Sequence, residues 1–233
     1  EAALADCFDA AELGKRVGNR RAEVVARLTA SWVLISQGNP DAADEQVTQA
    51  LAVARGLGSG RFEAFLLESR ARIELITGRQ AEARASIERA WQLVEQHRLT
   101  AFIGPWVLGT RALLEEDPEA RLETLQQGEA LLDAGCVGHN GYRFLVTAAE
   151  VSLLDHRPSA ARHYAQRLTQ LMAAEPCAWG EHHRALIEAH AVWLESCEEN
   201  GESSALEALR DCWRQSEAAG LLMTMPCLAA SCY

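Results

Sequence analysis

The sequence GNPDAA at residues 38–43 recurs 40 positions later as GRQAEA at residues 78–83, and this repeat decides the fold. Both copies continue in the same pattern, because a second alanine, Ala50 or Ala90, follows seven residues after the last alanine. Residues seven apart lie on one face of an α-helix, and small side chains on that face let a second helix approach closely. The repeat therefore predicts pairs of closely packed helices.

Further copies of the same helix start lie in phase along the chain. Asp117-Pro118 opens one, Arg157-Pro158 another, and ESSA at residues 202–205 a third. Proline suits the first helical turn, where its missing N–H has no intrahelical partner in any case. The spacing predicts one all-α domain, residues 1–233, that forms a right-handed α-solenoid of antiparallel helix pairs with a long concave surface. Its predicted parts are a lone helix near 3–17, pairs near 20–56, 61–97, 101–134, 140–174 and 179–219, and a truncated helix at 226–233.

Composition narrows the class of function. The chain of 233 residues has a formal charge of −11 and a pI of about 5.1. Because nucleic acids bind to cationic surfaces, we expect no nucleic-acid partner, and the single lysine, Lys15, does not lie in a nucleotide-binding P-loop. The sequence has neither an apolar run of ~18 residues nor a signal-peptide pattern, which predicts a cytoplasmic protein with no membrane partner. Since the first residue is Glu1 rather than Met, we expect a segment of a longer protein.

The repeat resembles the tetratricopeptide repeat, in which a glycine ends the first helix and small residues recur at fixed positions of the second. The matching residues are Gly38, Ala43 and Ala50-Leu51 in one copy and Gly78, Ala83 and Ala90-Trp91 in the next. The period of 40 between Gly38 and Gly78 exceeds the usual 34. In this respect the chain is similar to the longer, divergent repeats of large bacterial ATP-dependent signalling proteins.

A second resemblance lies in the C-terminal part of the chain. Its motifs are CVGHN at residues 136–140, YRF at 142–144, AEVSL at 149–153, AARHYA at 160–165 and EPCAW at 175–179. They resemble the C-terminal repeats of bacterial multidomain proteins that join a class III adenylate/guanylate cyclase domain to a signal-transduction ATPase and tetratricopeptide repeats. The resemblance implies a non-catalytic regulatory sensor module. Its partner would be a protein or peptide segment, such as the ATPase or cyclase domain of its own parent chain.

Tetratricopeptide repeats bind partners with the first helix of each pair, and the repeat register selects the corresponding residues here. The predicted partner-binding groove consists of Trp32, Phe65, Glu68, Arg72, Trp106, Arg143, Glu150 and His190. Aromatic side chains mixed with arginine and glutamate are typical of a peptide groove with a polar rim. Trp91 and Trp213, in contrast, share one position in the second helices and are predicted to lie in the core.

Two other classes of function remain open. The groove of a repeat domain from an ATP-dependent transcriptional regulator would bind a small inducer instead of a protein. A helical-repeat hydrolase or metalloenzyme is the third reading. Cys136 and His139 have a ligand-like spacing, and Cys177, His182 and His183 lie in a later turn. The second cluster lacks a CxxC or HxxxH pair, however, and the two clusters lie about 40 residues apart. We therefore predict packing and capping roles for these residues, with no metal, no cofactor and no catalytic residue.

The seven cysteines are odd in number and scattered, which predicts reduced thiols rather than a disulfide framework. His183 and His190 lie seven residues apart, on one face of a predicted helix. Histidine titrates near neutral pH, so this spacing is compatible with a pH switch. The simpler prediction is a pair of solvated histidines in the groove.

Overall fold

The fold was analysed in a computed structural model, which describes residues 2–198, 202–222 and 225. All regular secondary structure in these residues is helical, in eleven helices. The helices are α1 (Ala2–Arg16), α2 (Arg20–Ser36), α3 (Pro40–Gly56), α4 (Gly60–Ile76), α5 (Gln80–Gln96), α6 (Thr100–Leu114), α7 (Pro118–Asp133), α8 (Gly138–Leu154), α9 (Pro158–Met172), α10 (Ala178–Glu198) and α11 (Glu202–Ala218). No helix in this part of the chain is both long and apolar enough to cross a membrane.

The helices follow a repeated two-layer arrangement, which confirms the predicted helical repeat. Each helix from α1 to α6 packs against the next one along the chain, as do the helices from α8 to α11. The even-numbered helices α2, α4, α6, α8 and α10 also contact one another in sequence, so they form one continuous layer. We call this layer the inner face. The truncated helix predicted at 226–233 lies outside the described residues.

The turns explain why the first half of the chain is so regular. Gly18, Gly38, Gly58 and Gly78 recur at intervals of 20 residues, and each has a positive φ of 62–77°. A residue in this left-handed conformation ends a helix by allowing the next N–H groups to reach back to its last carbonyls. Asn19 and Asn39 then cap the following helices, because each side chain accepts a hydrogen bond from a backbone N–H three residues on.

The small residues of the repeat lie where the helices approach each other. Ala43, Ala50, Ala83 and Ala90 are fully buried, and Trp91 packs in the same core. One cluster of buried apolar residues extends from α2 to α6, and a second extends from the end of α6 to α11. The close approach predicted from the repeat is therefore present in both strong copies.

The repeat is interrupted between α7 and α8. These two helices approach each other at few positions, Gly128 beside Phe144 among them, whereas α6 packs extensively on α8. A Cβ atom at Gly109 of α6 would lie 3.4 Å from the ring of Phe144 in α8, and one at Gly128 of α7 would collide with the same ring. Because these glycines leave room for Phe144, α8 can move in beside α6. This bend turns the inner side of α8 toward α2 and α4.

Candidate functional site

The bend creates a pocket on the inner face. Residues from α2, α4, α6, α8 and α10 line it, together with two residues that follow α11. The lining residues are Trp32, Ile35, Ser36, Glu68, Arg72, Leu75, Ile76, Trp106, Leu113, Arg143, Val146, Thr147, Glu150, Trp179, His183, Leu221 and Met225. Its free volume is about 80 Å³, roughly half that of an engineered cavity that binds benzene. The pocket therefore has room for a group of a few heavy atoms.

An aromatic cluster forms the wall nearest to α2 and α6. The ring centroids of Trp32 and Trp106 are 5.2 Å apart, and Phe65 of α4 meets Trp106 edge-on at 5.3 Å. Tilted and edge-to-face arrangements at these distances are favourable for aromatic pairs. The indole N–H of Trp32 donates a hydrogen bond of 2.9 Å to the Ser69 hydroxyl, which fixes the ring orientation relative to α4. The cluster is thus a rigid apolar surface.

A buried polar network crosses the inner face beside this cluster. Glu68 is fully buried, and its Oε1 accepts hydrogen bonds from the Thr110 hydroxyl at 2.5 Å and from Arg72 Nε at 2.6 Å. Arg72 Nη2 in turn donates to the Thr147 hydroxyl at 2.6 Å. The network therefore joins α4 to α6 and α8. It leaves Glu68 Oε2 with no hydrogen-bond partner among the described residues.

Arg143 lines the pocket and contacts three indole rings. Its guanidinium carbon lies 4.4 Å from the ring centroid of Trp32, 4.7 Å from that of Trp106 and 5.8 Å from that of Trp179. Burial lowers the pKa of Arg143 to about 10, although the negative charge of Glu68 opposes this shift. The group therefore remains a cation at neutral pH, held by aromatic faces.

His183 closes the pocket from α10. Its Nδ1 forms a hydrogen bond of 2.7 Å with the carbonyl of Trp179, and the two rings lie 3.9 Å apart. Burial lowers the pKa of His183 to about 4, despite the opposing effect of that hydrogen bond. The imidazole is thus neutral at physiological pH, and Nδ1 is the protonated nitrogen since it faces a carbonyl oxygen.

The structure brings most of the predicted groove residues together. Six of the eight line the pocket, namely Trp32, Glu68, Arg72, Trp106, Arg143 and Glu150. Phe65 lies behind them in the aromatic cluster. His190 lies elsewhere, because its ring packs edge-on against Trp193 and Trp213 between α10 and α11. It is buried rather than solvated, as is His183, since α10 turns both residues toward neighbouring helices.

Several residues of the site were not predicted from the sequence. Thr110, Thr147 and Trp179 contribute polar or aromatic groups to the inner face. Thr110 follows Trp106 by four residues, and Thr147 follows Arg143 by four, so both are one helical turn from a predicted position. That spacing would have identified the two threonines. Leu221 and Met225 reach the pocket only through the path of the chain after α11.

The residues considered for metal binding or catalysis do not assemble into a site. In the part of the chain that the structure describes, no three His, Cys, Asp or Glu side chains are placed to hold a metal ion. The Cys136 thiol instead lies 3.4 Å from its neighbour's carbonyl at Val137. His182 Nε2 lies 2.9 Å from the Ser216 hydroxyl, but Ser216 is fully buried and also donates to the Cys212 carbonyl. Such a serine has no access to a substrate.

The pocket combines two guanidiniums, those of Arg72 and Arg143, with buried carboxylates and apolar walls, which is an arrangement suited to binding. No protein-family model matches the chain, and neither a curated protein nor a solved structure matches it. Function must therefore be inferred from the pocket itself. Burying charged groups is costly, and this pocket places several of them where five inner helices converge.

Proposed function

We propose that the chain is a non-catalytic binding and sensor module, a right-handed tetratricopeptide-like solenoid that recognises a partner protein on its inner face. The observation that carries the proposal is the convergence of Trp32, Trp106, Arg143 and Glu68 on one pocket. These residues come from α2, α6, α8 and α4, and aromatic and arginine side chains are those that dominate binding energy at interfaces. In this proposal a partner inserts one side chain or chain terminus into the pocket.

The proposed sensor role rests on the contacts that connect the helices of the inner face. Arg72 bonds to Thr147 across the bend, and Arg143 spans Trp32 and Trp106. A ligand that enters between them changes the relative free energies of a closed and a more open arrangement of α2 and α8. Such a difference in affinity between two states is what a regulatory switch requires. In a bacterial cytoplasmic signalling protein, the change would pass to ATPase or cyclase domains of the same chain.

A small inducer is the second candidate, and the size of the pocket favours it. The free volume of about 80 Å³ is too small for an extended peptide strand, since the contacts from Arg72 and Arg143 cross the inner face. A small molecule would fit without separating α2 from α8. The chain would then act as the inducer-binding repeat domain of an ATP-dependent transcriptional regulator.

The test is a substitution that fills the pocket. Ser36 lines the pocket, and its hydroxyl donates to the Trp32 carbonyl one turn earlier. We expect Ser36→Leu to occupy the free volume and to lower partner or inducer binding at least tenfold, with little change in stability. Binding is measured by recovery of partner proteins on the immobilised chain and by calorimetry with candidate inducers.

Ser196→Leu is the matched control. Ser196 forms the same hydrogen bond to the carbonyl four residues earlier, at Val192, but lies outside the pocket. We expect this variant to bind as the wild type does. Equal binding by wild type, Ser36→Leu and Ser196→Leu would show that the inner pocket is not the recognition site.

A further inference from the structure

We propose that the group bound in this pocket is a carboxylate, held by the guanidinium edge of Arg143. This inference rests on the proposed binding function and specifies the chemistry of its ligand. The guanidinium carbon of Arg143 lies within 5 Å of two indole ring centroids, those of Trp32 and Trp106. Aromatic rings engage a guanidinium through its face, while its five N–H donors lie in its plane.

Those donors have no acceptor in the described part of the chain. No hydrogen bond or ion pair from the Arg143 side chain is found there, whereas Arg72 bonds to both Glu68 and Thr147. The charge of Glu68 acts on Arg143 without an ion pair or hydrogen bond between the two side chains, and burial still lowers the pKa of Arg143. A carboxylate matches the fork of a guanidinium with two parallel hydrogen bonds. Binding it would supply acceptors in the plane of the Arg143 guanidinium.

Charge selects a monoanion over a phosphate. Glu68 and Glu150 also line the pocket, and the charge of Glu68 is already offset by Arg72 at 2.6 Å. Arg72 and Arg143 together supply as many positive charges as Glu68 and Glu150 supply negative ones, so every charge on an anionic ligand is an excess, and a monoanion adds the smallest excess. A phosphate, with nearly two negative charges at neutral pH, would be repelled by the two buried carboxylates.

Size and polarity define the rest of the ligand. The other walls include Ile35, Leu75, Leu113 and Val146, and the free volume is about 80 Å³. A carboxylate attached to two or three apolar carbon atoms fits both properties. Two sources supply this chemistry: a free short-chain aliphatic acid, or the carboxylate of a polypeptide, at its C-terminus or on an acidic side chain.

The experiment is a titration of the purified chain with propionate, propionamide and inorganic phosphate at constant ionic strength. Tryptophan fluorescence is the first readout, because Arg143 contacts the rings of Trp32 and Trp106. The chemical shift of the Arg143 Nε–H is the second. We expect saturable binding of propionate in the millimolar range, as suits so few atoms. Propionamide and phosphate should bind at least tenfold more weakly.

Arg143→Lys tests the residue, since lysine keeps the charge but not the planar fork. We expect it to weaken propionate binding at least tenfold. Arg61→Lys is the matched control, because Arg61 also stacks on an aromatic ring, that of Phe102 at 4.0 Å, but does not line the pocket. The Arg61 variant should bind propionate as the wild type does.

A second pair of probes distinguishes the two sources of carboxylate. The tripeptide Ala-Ala-Leu with a free C-terminal carboxylate is compared with its C-terminal amide. Tighter binding of the free-acid peptide than of propionate assigns a polypeptide carboxylate, and the reverse order assigns a free acid. Equal binding of propionate and propionamide, tighter binding of phosphate, or full binding by Arg143→Lys would overturn the inference. If Ser36→Leu still abolished partner binding in that case, the proposed function would stand with a different ligand chemistry.

Discussion

Glu68 illustrates how a single residue determines the chemistry of the inner face. Its carboxylate is fully buried, and one oxygen receives hydrogen bonds from α4 and α6 through Arg72 and Thr110. A buried carboxylate is tolerated only when charged and hydrogen-bonding partners compensate for lost hydration. The repeat register selected both Glu68 and Arg72 as groove residues, and their i, i+4 spacing is visible in the sequence. The burial of Glu68 could not be predicted from the sequence, because it depends on how α6 packs above this residue.

The two buried histidines make stability depend on pH. Burial lowers the pKa of both His183 and His190 to about 4, whereas an unfolded histidine has a pKa near 6.5. Between these values the unfolded chain binds protons that the folded chain does not. Stability is therefore complete above about pH 6.5 and falls as the pH decreases toward 4. At pH 5.5 each buried histidine should lower the unfolding free energy by roughly 1 kcal/mol.

His190→Leu tests this dependence. The Nε2 atom of His190 has no hydrogen-bond partner among the described residues, so leucine should be tolerated between Trp193 and Trp213. We expect the loss of unfolding free energy between pH 7 and pH 5.5, measured by urea titration, to shrink by roughly 1 kcal/mol. His163→Leu, at an exposed position, should leave that loss unchanged. An identical pH dependence in His190→Leu and wild type would contradict the assignment.

At the scale of helices, the boundaries were predictable because local chemistry sets them. Glycine after a helix, followed by asparagine at the next start, defines the turns at Gly18 and Gly38 without reference to the rest of the fold. The interval of 20 residues between Gly18, Gly38, Gly58 and Gly78 continues to Arg98, which also has a positive φ, of 54°. Arg98 thus occupies a glycine position in a conformation that costs an arginine roughly 1–2 kcal/mol.

Replacing Arg98 with glycine should relieve this strain. We expect Arg98→Gly to raise the unfolding free energy by about 0.5–1 kcal/mol, since part of the gain is offset by the greater entropy of the unfolded chain. Gly78→Ala, at the equivalent turn 20 residues earlier, has a φ of 77° and should lose about 1 kcal/mol. Urea titrations of both variants check the pair. A destabilised Arg98→Gly would show that the arginine side chain contributes more than its conformation costs.

At the scale of the whole molecule, the bend at α6 and α8 was not predicted. The repeat register assumes that each pair stacks on the last in the same way. Six of the residues that it selected line the pocket because they lie on the inner helices. The bend depends on Phe144 meeting Gly109 and Gly128, which are distant in sequence. Such a contact carries no local signal. For the same reason Thr147 was not expected to face α4, and His183, predicted as a solvated groove histidine, was not expected to be buried.

Gly128→Ala tests the bend directly. The added methyl group would collide with the buried Phe144 ring, so α7 and α8 must separate. We expect the unfolding free energy to fall by about 1–3 kcal/mol, even though alanine favours a helix, with a change in the fluorescence of Trp32 and Trp106. Gly56→Ala is the control, because nothing lies within 4 Å of its added atom. A neutral Gly128→Ala would mean that Phe144 does not hold the bend.

The hydrogen bond between Arg72 and Thr147 also limits how many helix pairs this chain can contain between them. In a simple solenoid each pair touches only its neighbours, so pairs can be gained or lost with little effect on the rest. Here a contact joins residues 75 positions apart. An extra pair inserted between α4 and α8 would move Thr147 out of reach of Arg72. It would also move Arg143 away from Trp32. The repeat number of this segment is therefore fixed by the pocket, much as the number of strands is fixed in a closed barrel.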